Sequence, residues 1–130
     1  MYVRRSAAVL AAVTVIGTVT PAFAADPTPS PSIAVPSGLY GKADPTYDGV
    51  WRQSLALLAQ DTVDVKPATE AVDWLTGQQC ADGAFAPFRA DVSKTCDAKT
   101  PVDTNNTAAA VQALAALGGH GAATGKAVDW

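Results

Sequence analysis

The tetrapeptide Ala71-Val72-Asp73-Trp74 recurs as Ala127-Val128-Asp129-Trp130, 56 residues later. No other feature limits the fold as much. Each copy follows an Ala/Leu-rich run, Leu55-Ala56-Leu57-Leu58-Ala59 and Leu114-Ala115-Ala116-Leu117-Gly118. Self-similarity at such a period signals stacked helix pairs. Chance matches arise in an Ala-rich chain, but two tryptophans in equivalent frames argue against chance. Alanine, the best helix former, supplies 27 of the 130 residues. Of the 12 acids 11 are Asp, which favours caps and turns over helix interiors. The expected fold class is therefore all-α: helix, helix, loop, helix and the start of a fourth.

Spacing refines this order. Val50, Trp51, Ser54, Leu55 and Leu58 recur three and four residues apart and predict one face of a helix starting near Asp48, a suitable N-cap. The stretch 60–66 breaks the pattern. Pro67 then opens a second helix, with Ala68, Ala71, Val72 and Leu75 as its stripe and Gly77 as its terminator. Residues 84–102 show little periodicity and read as a loop. Asp103 or Thr104 caps the third helix, with Val111, Leu114, Ala115 and Gly118 on one face and Ala108 and Leu117 beside it. A fourth helix starts near Ala123 and is still running at Trp130.

The N-terminal part is of a different kind. Arg4 and Arg5, an uncharged apolar run from Ser6 to Thr20, and Ala22-Phe23-Ala24 form the pattern of a secretory signal over residues 1–24. The apolar run is shorter than the ~20 residues a membrane span needs. A short membrane anchor is the alternative reading. Residues 25–46, with Pro27, Pro29, Pro31 and Pro36 among Thr and Ser, predict a disordered Pro/Ser-rich linker. It would be either a spacer from the cell surface or a leader without a role. The expected location is secreted or extracellular, in association with the cell surface, with no membrane span after signal cleavage. Nine Lys+Arg against 12 Asp+Glu leave a net charge of −3, which excludes nucleic-acid binding through a basic footprint.

The residues after the first tetrapeptide carry a second pattern. Trp74-Leu75-Thr76-Gly77-Gln78-Gln79 leads through Cys80-Ala81 to Asp82-Gly83-Ala84-Phe85. Asp82-Gly83 is a turn dipeptide in which Gly can take φ > 0. A Gln amide near a helix end can bond the last carbonyls, which have no helical partner. Phe85 can pack back over the turn. Trp74, Gln79, Asp82, Gly83 and Phe85 are accordingly read as a structural motif, with Asp82 facing a cavity as the functional alternative. The pattern resembles the QW-type repeat of the terpenoid cyclase and protein prenyltransferase superfamily, also known as the prenyltransferase/squalene oxidase repeat. It departs where Phe85 stands in place of a common Trp. The resemblance covers residues 48–130 and implies a partial α/α toroid, with the 104–117 helix lining the barrel and residues 70–77 outside. It also implies an incomplete repeat domain over 47–130, about one and a half helix pairs where stacked folds need about three repeats. Exposed apolar faces on the third and fourth helices are expected from such a piece.

Cys80 and Cys96 are the only cysteines. In an exported chain a pair points to a disulfide. A zinc site is the weaker reading, because His120 is the only histidine and acidic ligands would be needed. No metal and no cofactor are expected. His120 itself reads as an exposed turn residue.

Catalytic signatures are missing from the sequence. The Asp-x-Asp-Asp acid motif of the superfamily's proton-initiated cyclases does not occur, nor does a Gly-x-Ser-x-Gly elbow. Asp103, Asn105 and Asn106 stand where the family often lines a cavity mouth and are the ligand-binding candidates, against a plain capping role. The expected function is an exported, non-catalytic α/α-toroid repeat module for small-molecule or partner binding, truncated from a longer repeat array. The small-molecule version takes a hydrophobic or cobalamin-like ligand, since the cobalamin-carrying transcobalamin type is a related secreted toroid. The alternatives are a fragment of a cyclase- or prenyltransferase-like enzyme and a cell-surface structural spacer.

Overall fold

A computed structural model describes residues 35–130. The signal expected at 1–24 and the linker as far as residue 34 lie outside the described residues. The described chain is all-α, with helices α1 (Gly49–Thr62), α2 (Thr69–Gly77), α3 (Thr104–Leu117) and α4 (Gly121–Asp129). One isolated antiparallel bridge, Gln79 to Phe85, is the only extended pairing among the described residues. No described helix is long and apolar enough to cross a membrane. Helix α3 packs mainly on α1 and then on α4, and α2 packs on α1.

Helix α1 starts after Asp48 as expected, but the Asp48 side chain makes no capping bond. It pairs with Arg52 at 3.5 Å instead. The first free N–H groups find loop carbonyls: Gly49 N donates to Pro45 O at 2.8 Å and Val50 N to Pro87 O at 2.9 Å. The buried face is Val50, Gln53, Ser54 and Leu57. Only Val50 and Ser54 of the predicted stripe lie inside. Trp51 is 44% exposed and Leu55 48%. The face turns because Gln53 is buried, and Gln53 is buried because its amide is satisfied. Its Oε1 accepts from Tyr40 N at 2.8 Å, and its Nε2 donates to Gly38 O at 2.9 Å and Ala71 O at 2.8 Å. A buried polar group is tolerated when it is hydrogen-bonded.

Helix α2 begins at Thr69, with Ala68 as an extended N-cap, so Pro67 precedes the helix instead of opening it. Ala71, Trp74 and Leu75 are its buried residues. Helix α3 is capped as predicted, with Asp103 Oδ1 accepting from Asn106 N at 2.8 Å. Its buried side differs from the expected one. Asn106, Thr107, Ala109, Ala110, Ala113 and Leu114 are inside, while Ala108, Ala115 and Gly118 are exposed. In an Ala-rich helix hydrophobicity barely distinguishes the faces, so the packing against α1 decides. Small side chains on that face let the two helices approach closely.

The fold starts earlier than residue 47. Leu39 belongs to the core cluster, and Pro45 is fully buried. Residues 35–46, which the composition assigns to the linker, supply a turn that matches the one after α2. Gly38-Leu39-Tyr40 corresponds to Gly83-Ala84-Phe85. Both glycines have positive φ, 86° and 104°. A Cβ on Gly38 would run into the Glu70 carbonyl, and one on Gly83 into the Lys126 carbonyl. Tyr40 N donates to Gln53 Oε1 at 2.8 Å, and Phe85 N donates to Thr107 Oγ1 at 3.0 Å, so the acceptors sit 54 residues apart in α1 and α3. The two Gly–x–aromatic turns are therefore held alike, and each precedes a pair of helices.

The segment 84–102 is irregular, as predicted, but it opens inside the core: Ala84, Phe85 and Ala86 are fully buried. Arg89 fastens the rest of the segment to the end of α2. Its backbone N donates to Gln78 Oε1 at 2.6 Å. Its guanidinium donates to Gly77 O and Gln79 O, both at 3.1 Å, and to the carbonyls of Val92 and Lys94. A cation on the last carbonyls of α2 also complements the helix dipole. Cys80 and Cys96 form the disulfide, with Cα atoms 5.5 Å apart. Reduction is expected to cost about 3 kcal/mol on the loop-entropy model. Urea unfolding with and without a reductant measures this as a lower midpoint at unchanged slope.

Candidate functional site

An apolar concavity lies between α3 and α4. It has a volume of about 520 Å³ and is lined by Thr104, Thr107, Ala108, Val111, Gln112, Ala127, Val128 and Trp130. Volumes of this order are typical of sites for small molecules. None of the lining residues is charged. The α3 side follows the helix repeat: positions 104, 107, 108 and 111 share one face. The α4 side brings Val128, 72% exposed, and Trp130, 45% exposed.

The groove residues can be set against the corresponding positions of α1 and α2. Shifting by 54 residues turns Val50, Gln53, Ser54 and Leu57 of α1 into Thr104, Thr107, Ala108 and Val111 of α3. Shifting by 56 turns Ala71, Val72 and Trp74 of α2 into Ala127, Val128 and Trp130 of α4. The α1–α2 positions are buried apart from half-buried Val72: α3 packs on α1, Pro87 O accepts from Val50 N, and the first turn covers Gln53. Their counterparts on α3 and α4 are the lining of the groove. Of the α3 face expected from the sequence, Val111 and Ala108 line the groove, whereas Leu114 is fully buried. The residue-level signal was present in the register between α1 and α3, but it becomes visible only once Gln53 is known to be buried.

The predicted ligand residues have other partners. Asp103 uses both carboxylate oxygens on Asn106: Oδ1 accepts from the backbone N at 2.8 Å and Oδ2 from Nδ2 at 2.7 Å. Asn105 is exposed on the other side of the helix start. Asn106 is only 7% exposed, and its Oδ1 has no hydrogen-bond partner. The three residues are neighbours in space as in sequence, and their visible interactions are those of a helix cap. Only Thr104, between them, reaches the groove.

The turn motif is held from within. Gln79 Nε2 donates to Gly83 O at 3.0 Å and to Ala123 O at 2.8 Å, which ties the turn to α4. Asp82 Oδ1 accepts from Ala84 N at 3.1 Å. Asp82 also borders a shallow concavity of about 330 Å³ beside the Cys80–Cys96 bridge. Phe85 is fully buried, and Trp74 nearly so.

Proton chemistry has no visible support in the two carboxylates with a perturbed affinity. Asp44 is held below the usual carboxylate range by hydrogen bonds from the Thr46 hydroxyl and N–H, and Asp91 by those of Ser93. A general acid at neutral pH needs a shift in the opposite direction. Among the described residues no group of three His, Cys, Asp or Glu is placed to hold a metal ion. His120 precedes α4 and is half-buried, more enclosed than the turn residue expected; its carbonyl accepts from the N–H groups of Ala123 and Thr124, both at 3.0 Å.

Comparisons with protein-family models, with curated proteins and with solved structures find no match to this chain.

Proposed function

We propose that this chain is an exported, non-catalytic repeat module of the α/α-toroid type, and that it works by binding through the α3–α4 groove. The observation that carries the reading is the open groove itself: an uncharged lining at positions whose counterparts one unit earlier are packed. A half-exposed tryptophan at its edge is the kind of anchor that binding surfaces favour. The disulfide fits an oxidising location. The QW-like turn, with Gly83 wedged against α4 and Gln79 bridging to it, supports the toroid assignment.

Titration with an apolar fluorescent dye, anilinonaphthalene sulfonate, tests the groove. Saturable binding near one site per chain is expected in dilute protein, with a loss of about tenfold or more in affinity for Val111→Asp, which places a charge in the apolar lining. Absence of saturable binding, or equal binding by the variant, would overturn the reading. A parallel titration with cobalamin, followed by tryptophan quenching, decides whether the groove takes a corrinoid.

A further inference from the structure

We propose that the Lys94–Thr95 peptide bond is a processing site for an endopeptidase selective for basic residues, and that its cleavage leaves a two-chain protein joined by the Cys80–Cys96 bond. The inference is independent of the groove reading. Exposed loop positions that carry no core are where chains are nicked. Residues 90–95 are all exposed, as are 97–99, with Cys96 half-buried between them. Val92, the largest apolar side chain of 90–95, is 49% exposed. The Lys94 side chain is 81% exposed, and its ionic partner, Asp91 at 3.5 Å, is itself half-exposed. Such a surface pair is weak. Drawing 90–95 into a peptidase cleft breaks that pair, the Asp91–Ser93 bonds and the Arg89 bonds to the carbonyls of Val92 and Lys94, all at the surface. The Arg89 anchors on Gly77 O and Gln79 O stay in place, as does the buried start of the segment at Ala84, Phe85 and Ala86. Local openings of this kind cost far less than global unfolding.

The other basic residues of the described chain are less suited. Arg52 and Lys126 lie inside α1 and α4. Arg89 has its guanidinium on four carbonyls. Lys66 precedes Pro67, whose ring fixes φ and whose nitrogen carries no hydrogen, so that bond does not suit a peptidase cleft. Lys99 sits in a turn closed by bonds from Thr100 N to Asp97 O, Asp97 N to Thr100 Oγ1 and Lys99 N to Asp97 Oδ1. Lys42 stands between buried Leu39 and fully buried Pro45, so opening there disturbs the core. Cleavage at Lys94 adds one water across the amide bond: the oxygen enters the Lys94 carboxylate, and Thr95 leaves with the new N-terminal amine. No electrons are exchanged, so the disulfide is untouched. The cut falls between Cys80 and Cys96, so the two pieces stay covalently joined, and α3 keeps its packing on α1.

Limiting trypsin acting on the purified full chain tests this, read by intact mass and by denaturing gels with and without a reductant. The first cut within residues 35–130 is expected at Lys94. The nicked protein should run as one species without reductant, separate into two with it, and keep its helical circular dichroism. Lys94→Gln should slow this cut about tenfold or more, because the specificity pocket loses its cation, whereas Lys94→Arg should keep it. Both substitutions fall on an exposed side chain and leave the fold intact. A first cut at Lys42 or Lys99 would free a separate piece without reductant and overturn the proposal. Cleavage of Lys94→Gln at the wild-type rate, no cut short of unfolding, or loss of helicity on nicking would overturn it as well.

Discussion

Gly83→Ala is expected to cost at least about 3 kcal/mol, because two separate penalties act at one residue. The first is conformational. Gly83 has φ 104°, well outside the backbone regions that suit an L side chain. The second is steric. The new Cβ would meet the carbonyl of Lys126 and the amide of Ala127, backbone atoms of α4 that cannot swing away as a side-chain tip would. Relief requires moving the turn from α4, which breaks the Gln79 bonds to Gly83 O and Ala123 O. A domain of this size has about 5–15 kcal/mol in total. The variant should therefore unfold at a much lower urea concentration. Gly121→Ala is the control: nothing lies within 4 Å of a Cβ there and the φ is not positive, so its midpoint should change little. Equal midpoints for the two variants would show that the turn is not wedged against α4.

Gln53→Leu is expected to cost about 3–5 kcal/mol, although it makes a buried position apolar. The Gln53 amide serves three backbone groups: Tyr40 N, Gly38 O and Ala71 O. Leucine fills similar space but leaves Tyr40 N and Gly38 O without this partner and Ala71 O with its helical bond alone, and each unsatisfied buried group costs roughly 1–3 kcal/mol. These groups join the first turn, α1 and α2, so the loss should spread beyond the site. Hydrogen exchange of the Tyr40 amide should accelerate even in conditions where the variant remains folded. If Gln53→Leu were neutral or stabilising, the first turn would not depend on α1, and the likeness of the two turns would lose its main support. Thr107→Val probes the counterpart contact to Phe85 N and should cost less, since it removes one acceptor of that turn.

The four helices were legible because their signals are local. Alanine content, the Asp103 cap and Gly118 after α3 each act within a few residues. The disulfide was legible because two cysteines leave one pairing. Faces were harder. Trp51 and Leu55 look like core residues and lie outside, while Gln53 looks like a surface residue and lies inside. Periodicity ranks residues by apolarity, and it has no access to the hydrogen bonds that make a polar side chain fit. The boundary at residue 47 failed for a related reason. Prolines and glycines before it resemble a linker, yet Leu39 and Pro45 are packed by elements far along the chain. Asp103, Asn105 and Asn106 were placed correctly at the start of α3, but sequence alone could not show that Asp103 spends both oxygens on Asn106.

The sequence by itself determined the helical class, the helix order, the cysteine pair and the turn at Asp82-Gly83, because capping, propensity and covalent pairing are properties of short stretches. The tertiary structure alone decided which helix faces are buried, that the turn at Gly38 belongs to the fold, and that the α3–α4 groove stands open where its α1–α2 counterpart is packed. Burial is a relation between segments distant in the chain, and in an alanine-rich helix only the neighbour that arrives selects the face.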